Sequence, residues 1–232
     1  GVEAITTDAM GSGPYVIASF KEKELVYLER NPLYVGEGYM IKEIILKFVD
    51  QTTDIVELTS GSVDLLAGQI DPKKISEARN AGFSINSYNR SGYGYVKTNN
   101  QFGPTADAKV RQALYYSFNV KEFVNSYYYD ADTDQVLAAV QYHPFSQVSW
   151  AITDSLLDSM IEYDFDLEKA KSLLDEAGWA VGADGFRYKD GKVFELKIAA
   201  MPDHDILATL IPMWERDWGQ GLGVKLTVAY LE

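Results

Sequence analysis

Side chains that commonly act as nucleophiles, general bases or metal ligands are scarce in this sequence. Its two histidines, His143 and His204, lie far apart in the chain, and it contains no cysteine. Neither histidine belongs to an HExxH motif, so no zinc site is predicted. The lack of cysteine excludes disulfides and thiol nucleophiles. We therefore predict no catalytic residues, no metal site and no cofactor, and hence a protein that is not an enzyme.

Two acidic pairs could imitate a catalytic carboxylate dyad, Glu162 with Asp164 and Asp203 with Asp205. Both pairs fall near predicted bends of the chain, where exposed acids are common. We interpret them as surface residues.

Two further motifs could suggest ligand binding. The segment Gly11-Ser12-Gly13 precedes Pro14 and a strand instead of opening a helix, so a phosphate-binding loop is not predicted. The run Tyr127-Tyr128-Tyr129 could suggest an aromatic platform, but consecutive residues of a helix do not share a face. Packing in the core and on the surface is the expected role of these tyrosines.

The charge balance argues against nucleic acid as a partner. The 232 residues include 34 acidic and 21 Lys or Arg residues, a formal net charge of -13, which repels phosphate backbones. This acidity suits the solubility of an exposed domain, and attraction of cationic ligands is the alternative. With 47% hydrophobic and 24% charged residues, the composition is that of a globular protein. We find no apolar run long enough to span a bilayer and no secretory leader in the sequence.

Apolar periodicity predicts strands alternating with helices, as in mixed α/β folds. The first half is predicted to open with a hairpin and a third strand, followed by alternating helices and strands. The predicted strands are Tyr15–Phe20, Leu25–Glu29, Ile41–Phe48, Val63–Ala67, Phe83–Tyr88 and Tyr93–Thr98, and the predicted helices are Thr53–Ser60 and a segment from Asp71 to Gly82.

The second half is predicted to be richer in helices. Residues 130–150 lack a regular period and are expected to form mostly loop. Asp190-Gly191 predicts a tight hairpin turn. Helices are predicted from Thr105 through Phe118, from Lys121, over Asp166–Ala177 and over Asp205–Trp218, and strands are predicted at Phe186–Tyr188, Val193–Ala199 and Val224–Tyr230.

Three separated blocks resemble one known family. Gly11-Ser12-Gly13-Pro14-Tyr15, followed by Leu28-Glu29-Arg30-Asn31-Pro32-Leu33-Tyr34, is similar to its G-T-G-P-Y and L-x-R-N-P-x-Y pair. Val110-Arg111-Gln112-Ala113-Leu114 is the second block. The third, Lys169 to Trp179, resembles K-A-K-x-L-L-x-E-A-G-W. Their order and separation identify the chain as similar to the extracellular solute-binding proteins (family 5) of oligopeptide, dipeptide and nickel ABC importers.

The resemblance implies a fold and an organisation. The fold is α/β, periplasmic-binding-protein-like (type II, cluster C), with mixed sheets and packed helices, and the two-lobe architecture is expected to be partial. Residues 1–96 are expected to be part of the first lobe and residues 97–232 most of the second, with a hinge near residues 93–104. Because relatives are longer, we expect this chain to be their middle portion, with a signal and membrane anchor outside it.

The resemblance also implies a function. The protein is expected to capture extracellular oligopeptides or dipeptides and deliver them to the membrane permease subunits of an ABC importer. We expect a monomer on the outer side of the cytoplasmic membrane, held by a lipid anchor, or in the periplasm. The alternatives are a receptor for a nickel chelate or another small molecule, and a surface sensor or adhesin that uses the same clamp.

Six positions are expected to face the ligand cleft. They are the turn residues Gly68 and Gln69, the hinge residues Tyr93 and Tyr95, and Met201 and His204 near the end of a strand. For Gly68 and Met201 there is an independent reason, because α/β sheets leave crevices at the carboxyl ends of strands. Tyr93 and Tyr95 could equally belong to the core, and His204 could be an ordinary residue at the start of a helix.

Overall fold

The computed structural model describes residues 11–146, 148–202 and 204–231. The chain divides into two compact units, residues 1–67 and residues 68–232. The prediction that Asp203 and Asp205 are surface acids is not tested for the pair, since Asp203 lies outside the described residues. The hinge expected near residues 93–104 is a feature of the complete two-lobe architecture, and it stays a prediction.

The first unit contains a three-stranded antiparallel sheet. Its strands are β1 (Tyr15–Lys21), β2 (Leu25–Arg30) and β3 (Glu43–Lys47), in the order β1-β2-β3. The register pairs Lys21 with Leu25, as expected for a short connection between strands. The predicted hairpin and third strand are therefore confirmed.

A short helix, α1 (Asp54–Thr59), follows the sheet and confirms the helix predicted there. It is tied to the sheet by Lys47, whose Nζ donates to Glu57 Oε2 and to Ser62 Oγ, each at 2.6 Å. Gly61 ends this turn with a φ of 75°, a conformation that glycine adopts without steric cost.

The second unit contains most of the helices. Among the described residues, five of them begin where a side chain accepts a first-turn backbone N–H, which satisfies a donor that the helix itself cannot. These caps are Asp71, Asp107, Asn119, Thr153 and Asp166. The helices are α2 (Pro72–Asn80), α3 (Ala108–Ser117), α4 (Val120–Tyr127), α5 (Asp154–Ser159), α6 (Leu167–Glu176) and α7 (Leu207–Trp214).

The strands of the second unit form three small sheets. A two-stranded hairpin within residues 129–136 interrupts the predicted loop. The strands are β4 (Tyr129–Asp130) with β5 (Gln135–Val136), the antiparallel set β6 (Ala180–Val181), β7 (Arg187–Lys189) and β8 (Lys192–Val193), and the parallel pair β9 (Glu195–Ala200) and β10 (Lys225–Tyr230).

The Asp190-Gly191 turn is confirmed, and the strand after it differs from the prediction. Both turn residues have positive φ, 49° and 74°, as the tight turn requires. The predicted strand Val193–Ala199 is two strands: β8 pairs with β7, whereas β9 pairs in parallel with β10. The turn could be predicted because it depends on neighbouring residues. The pairing of β9 could not, because its partner strand lies about 30 residues further along the chain.

Three predicted strands are wrong within the described residues: Val63–Ala67, Phe83–Tyr88 and Tyr93–Thr98 have no strand assignment. A strand exists through hydrogen bonds to a neighbour. No described segment pairs with these three runs.

The core of the second unit lies where α3, α6 and α7 meet the sheets. Trp218 is buried and its indole donates to the carbonyl of Leu114 at 3.1 Å, which satisfies the indole N–H in the interior. The buried apolar residues of this cluster are Val110, Ala113, Leu114, Ala170, Leu174, Ala177, Trp179, Phe194, Trp214, Trp218, Leu222 and Val224.

The last helix changes from α-helical to π-helical hydrogen bonding along its length. It contains Pro212, and after α7 the chain continues as a π-helical segment, Glu215–Gln220. The rings of Trp214 and Trp218 stack 5.4 Å apart at an angle of 4°. The predicted helix is thus confirmed, but it begins at Leu207 and continues past Trp218 to Leu222.

Within the described residues, no helix combines the length and apolar character needed to cross a membrane.

Helix α2 is anchored at its carboxyl end. Arg79 donates to Asp130 Oδ2 at 3.0 Å and also pairs with Asp132. The side chain of Asp130 is only 3% exposed, and it also accepts from the hydroxyl of Thr133. The Arg79 guanidinium holds the pKa of Asp130 below its usual value, against the opposing effect of burial.

We predict that Asp130→Asn lowers the free energy of unfolding at neutral pH. The folded-state pKa of Asp130 is depressed below the unfolded value of about 3.9, so its stabilisation is present above that pH and is lost as the pH falls through the folded pKa. Urea unfolding between about pH 7 and about pH 3 should show the gap between the variant and the natural protein closing in acid. A gap that is constant over this range would contradict the prediction, and Asp132→Asn, at the more exposed partner, should have the smaller effect.

Gly223 lies where two backbone segments touch. A Cβ at this position would stand 2.3 Å from the carbonyl oxygen of Gly185, and its φ is 73°. At Gly219, four residues earlier, φ is ordinary and an added Cβ would meet no neighbour closer than 3.8 Å. The two glycines therefore differ in both space and conformation.

We predict that Gly223→Ala destabilises the protein by about 2–4 kcal/mol, from positive φ and a backbone clash combined. The matched variant Gly219→Ala should change stability by less than about 1 kcal/mol. Denaturant unfolding of both variants measures the difference, and equal effects would show that the close approach at Gly185 is not a constraint.

Candidate functional site

The parallel pair β9–β10 leaves an open edge beside two of the predicted ligand positions. Its register runs from Lys225 opposite Glu195 to Tyr230 opposite Ala200, so both strands end at the same edge. Met201 follows directly and is 66% exposed. An exposed carboxyl edge of parallel strands is where α/β proteins commonly bind ligands.

A pocket of about 310 Å³ lies at this edge. It combines the imidazole of His204 with residues of α7 and the end of β10. The lining residues are His204, Leu207, Ala208, Ile211, Pro212 and Tyr230.

His204 has a defined hydrogen-bond orientation. Its Nδ1 accepts from the backbone N–H of Ile206 at 3.4 Å. A ring nitrogen that accepts carries no proton, so neutral His204 bears its proton on Nε2. That nitrogen can donate to a carbonyl or carboxylate oxygen.

An ion pair links this edge to the start of α2. Lys74 Nζ and Asp205 Oδ2 are 2.7 Å apart, and both side chains are largely buried. Lys74 belongs to the first turn of α2, and Asp205 follows His204. The pair therefore joins the amino end of α2 to the pocket rim.

The predicted turn residues Gly68 and Gln69 lead into α2. Gly68 has a φ of 75°, and the Gln69 side-chain oxygen accepts from the backbone N–H groups of Ile70 and Asp71 at 2.9 and 2.8 Å. The loop is thus shaped by its own side chain and fixed to the helix that carries Lys74. Gly68 and Gln69 are thus linked to the region of His204 through helix α2 and the Lys74–Asp205 pair, and their place in the ligand site stays a prediction.

Tyr93 and Tyr95 form a separate group. Their ring centroids are 5.8 Å apart at an angle of 54°, and both rings are exposed. Within the part of the chain that the structure describes, no hydrogen bond or ring contact joins either tyrosine to the other four positions. Their exposure argues against a core role in this chain.

Tyr127 flanks the site from α4. Burial raises the pKa of its phenol well above the usual value, and the carboxylates of Asp71 and Asp205 add to the effect. The phenol therefore stays neutral and uncharged beside these acids. As predicted, the Tyr127-Tyr128 pair packs, with rings 4.9 Å apart and edge to face, and does not form an open platform.

A second, larger pocket of about 560 Å³ adjoins α6. Most of its polar groups already have structural partners. Asp164 pairs with Lys121, Asp166 caps α6, and Lys169 lies 3.9 Å above the ring of Tyr116. Glu162 and Asp164 are exposed, as predicted for surface acids. We therefore place the candidate site at the pocket beside His204.

Sequence reasoning missed most of the lining of that pocket. Leu207 and Ile211 pack against the core and also line the pocket. The available signal was Pro212, a residue that is unusual inside a helix. In the described ranges, no three His, Cys, Asp or Glu side chains converge on a position that could hold a metal ion.

Comparison with known proteins places the chain in a family. Residues 2–232 match the family described as bacterial extracellular solute-binding proteins, family 5 middle. The oligopeptide-binding protein OppA of Lactococcus lactis subsp. lactis is 26% identical, over 96% of this chain and 38% of that protein. The nickel-binding periplasmic protein of Escherichia coli is 28% identical, over 94% of this chain and 41% of that protein.

A solved structure has the same fold. The oligopeptide-binding protein AppA of Bacillus subtilis, in complex with a nonapeptide, superposes with a TM-score of 0.77 at 22% identity, over 96% of this chain and 42% of that one. The chain thus spans about two fifths of the length of these relatives. The predicted α/β, periplasmic-binding-protein-like fold is confirmed, and the chain belongs to the bacterial extracellular solute-binding proteins of family 5.

Proposed function

We propose that the protein carrying this chain is the ligand-binding component of an ABC importer and captures extracellular oligopeptides or dipeptides. The observation that carries the proposal is the open pocket at the carboxyl ends of β9 and β10, with His204 at its rim. Membership of the family and the similarity to an oligopeptide-binding protein support the same ligand class.

In this proposal the six predicted positions contact the ligand from three sides. The loop at Gly68 and Gln69 offers backbone groups to an extended peptide, as an added strand would. His204 donates from Nε2 to a peptide carbonyl, and Met201 supplies an apolar contact. Tyr93 and Tyr95 approach when two lobes close around the hinge near residues 93–104.

The remaining features of the proposal follow from the role of a receptor. The protein binds its ligand without transforming it and works as a monomer. It is held by a lipid anchor on the outer side of the cytoplasmic membrane or lies in the periplasm, and it delivers the ligand to permease subunits. A neighbouring permease gene would support this role over that of a surface sensor or adhesin.

A nickel chelate is the second candidate ligand. The similarity to a nickel-binding periplasmic protein favours it. Calorimetry with peptides and with nickel–histidine complexes separates the two candidates, because one ligand class should bind and the other should not.

We predict that the full-length natural protein binds peptides with micromolar affinity, about 8 kcal/mol of binding free energy, whereas residues 1–232 alone bind weakly or not at all. Ligand contacts from the rest of the clamp would be missing in the shorter protein. Calorimetry with one peptide library on both proteins tests this, and equal affinities would refute it.

We predict that Tyr95→Ala in the full-length protein weakens peptide binding about tenfold, because an exposed aromatic ring at a cleft contributes contact area. Tyr88→Ala is the matched control: this tyrosine is similarly exposed, 77% against 74%, and lies outside the predicted site. Both variants should keep the stability of the natural protein. Unchanged affinity in Tyr95→Ala would remove Tyr95 from the site.

A further inference from the structure

The pocket beside His204 is an open depression of the surface. Its volume of about 310 Å³ lies at the lower end of the range for protein ligand sites, roughly 300–1,000 Å³. A space of this size accommodates a single side chain.

The walls of the pocket are apolar. Leu207, Ala208, Ile211 and Pro212 are spaced so that they form one stripe along α7, and Tyr230 at the end of β10 also lines the pocket. Tyrosine rings favour offset or edge-to-face contact with another ring, which adds to the burial of apolar area. The shape and chemistry therefore suit an aromatic group.

Hydrogen-bonding groups lie at the rim of the pocket. Asp205, next to the rim residue His204, is ion-paired with Lys74 at 2.7 Å. Pro212 has no N–H and cannot donate to the carbonyl of Ala208, four residues earlier in the helix. This carbonyl therefore lacks its usual helical donor, and Ala208 is one of the residues that line the pocket.

From these observations we infer that the pocket formed by His204, α7 and Tyr230 binds one uncharged aromatic side chain of a peptide ligand. Tryptophan or tyrosine fits best, because either side chain fills the apolar walls and can donate to Ala208. The inference rests on the proposed function and adds to it a side-chain preference at one position of the peptide.

The test measures calorimetric affinities of the full-length protein for peptides that differ at one position, with Trp, Tyr, Ala, Asp or Lys scanned along the sequence. At one position, Trp and Tyr should bind at least about tenfold tighter than Ala, and Asp and Lys no tighter than Ala. Ala208→Leu should fill the pocket and reduce the aromatic preference, measured as the ratio of Trp-peptide to Ala-peptide affinity, to less than about twofold.

Two further variants make the test specific. Tyr230→Ala removes a wall instead of filling the space and should also reduce the preference, and both Ala208 and Tyr230 are exposed, so folding is expected to survive. Ser172→Leu adds the same side chain on an exposed face of α6 and should keep the full preference.

The outcomes separate this inference from the proposed function. Peptide binding with no aromatic preference, or a preference that persists in Ala208→Leu, overturns the inference and leaves the peptide receptor intact. A failure of every peptide to bind, with binding of a nickel chelate instead, overturns the proposed function and the inference with it.

Discussion

The parallel pairing of β9 with β10 is the constraint on which the second unit depends. Parallel neighbours cannot be joined by a tight turn and need a crossover of about a dozen or more residues. Here α7 and the π-helical segment supply it between Ala200 and Lys225. One face of the crossover must bury apolar side chains against the strands, and Trp214 and Trp218 do so. The far end of the same helix is left beside the strand termini, so the pairing that builds the core also creates the pocket.

Several buried polar groups inside this unit have defined hydrogen-bond partners. Arg187 is 2% exposed, and its guanidinium donates to the carbonyls of Leu222 and Trp179 and to the Asp175 carboxylate. Loss of those donors would leave buried backbone carbonyls without hydrogen bonds, which lowers the free energy of unfolding. Asp217 is likewise buried and accepts from Arg216 and the backbone of Asn119. These bonds fix where the crossover ends relative to the start of α4.

Features set by neighbours in sequence were predictable, and those set by distant partners were not. The caps at Asp71, Asn119 and Asp166 and the Asp190-Gly191 turn follow from local chemistry. The parallel partner of β9 and the lack of strand pairing over Phe83–Tyr88 and Tyr93–Thr98 depend on segments far along the chain. For the site, Met201 and His204 were predicted from the end of a strand, whereas Ala208 and Tyr230 required the three-dimensional arrangement.

Helix α2 is fastened at both ends by charge pairs, through Lys74 to Asp205 and through Arg79 to Asp130 and Asp132. Pivoting of this short helix about either end would break a charge pair at the other, so a displacement of the loop at Gly68 is resisted at residues 130–132 and 204–205. Two surface regions that are distant in sequence become mechanically dependent on one another. Raised ionic strength weakens exposed pairs more than buried ones, so it would loosen this coupling first at Asp132, the most exposed of the three acids.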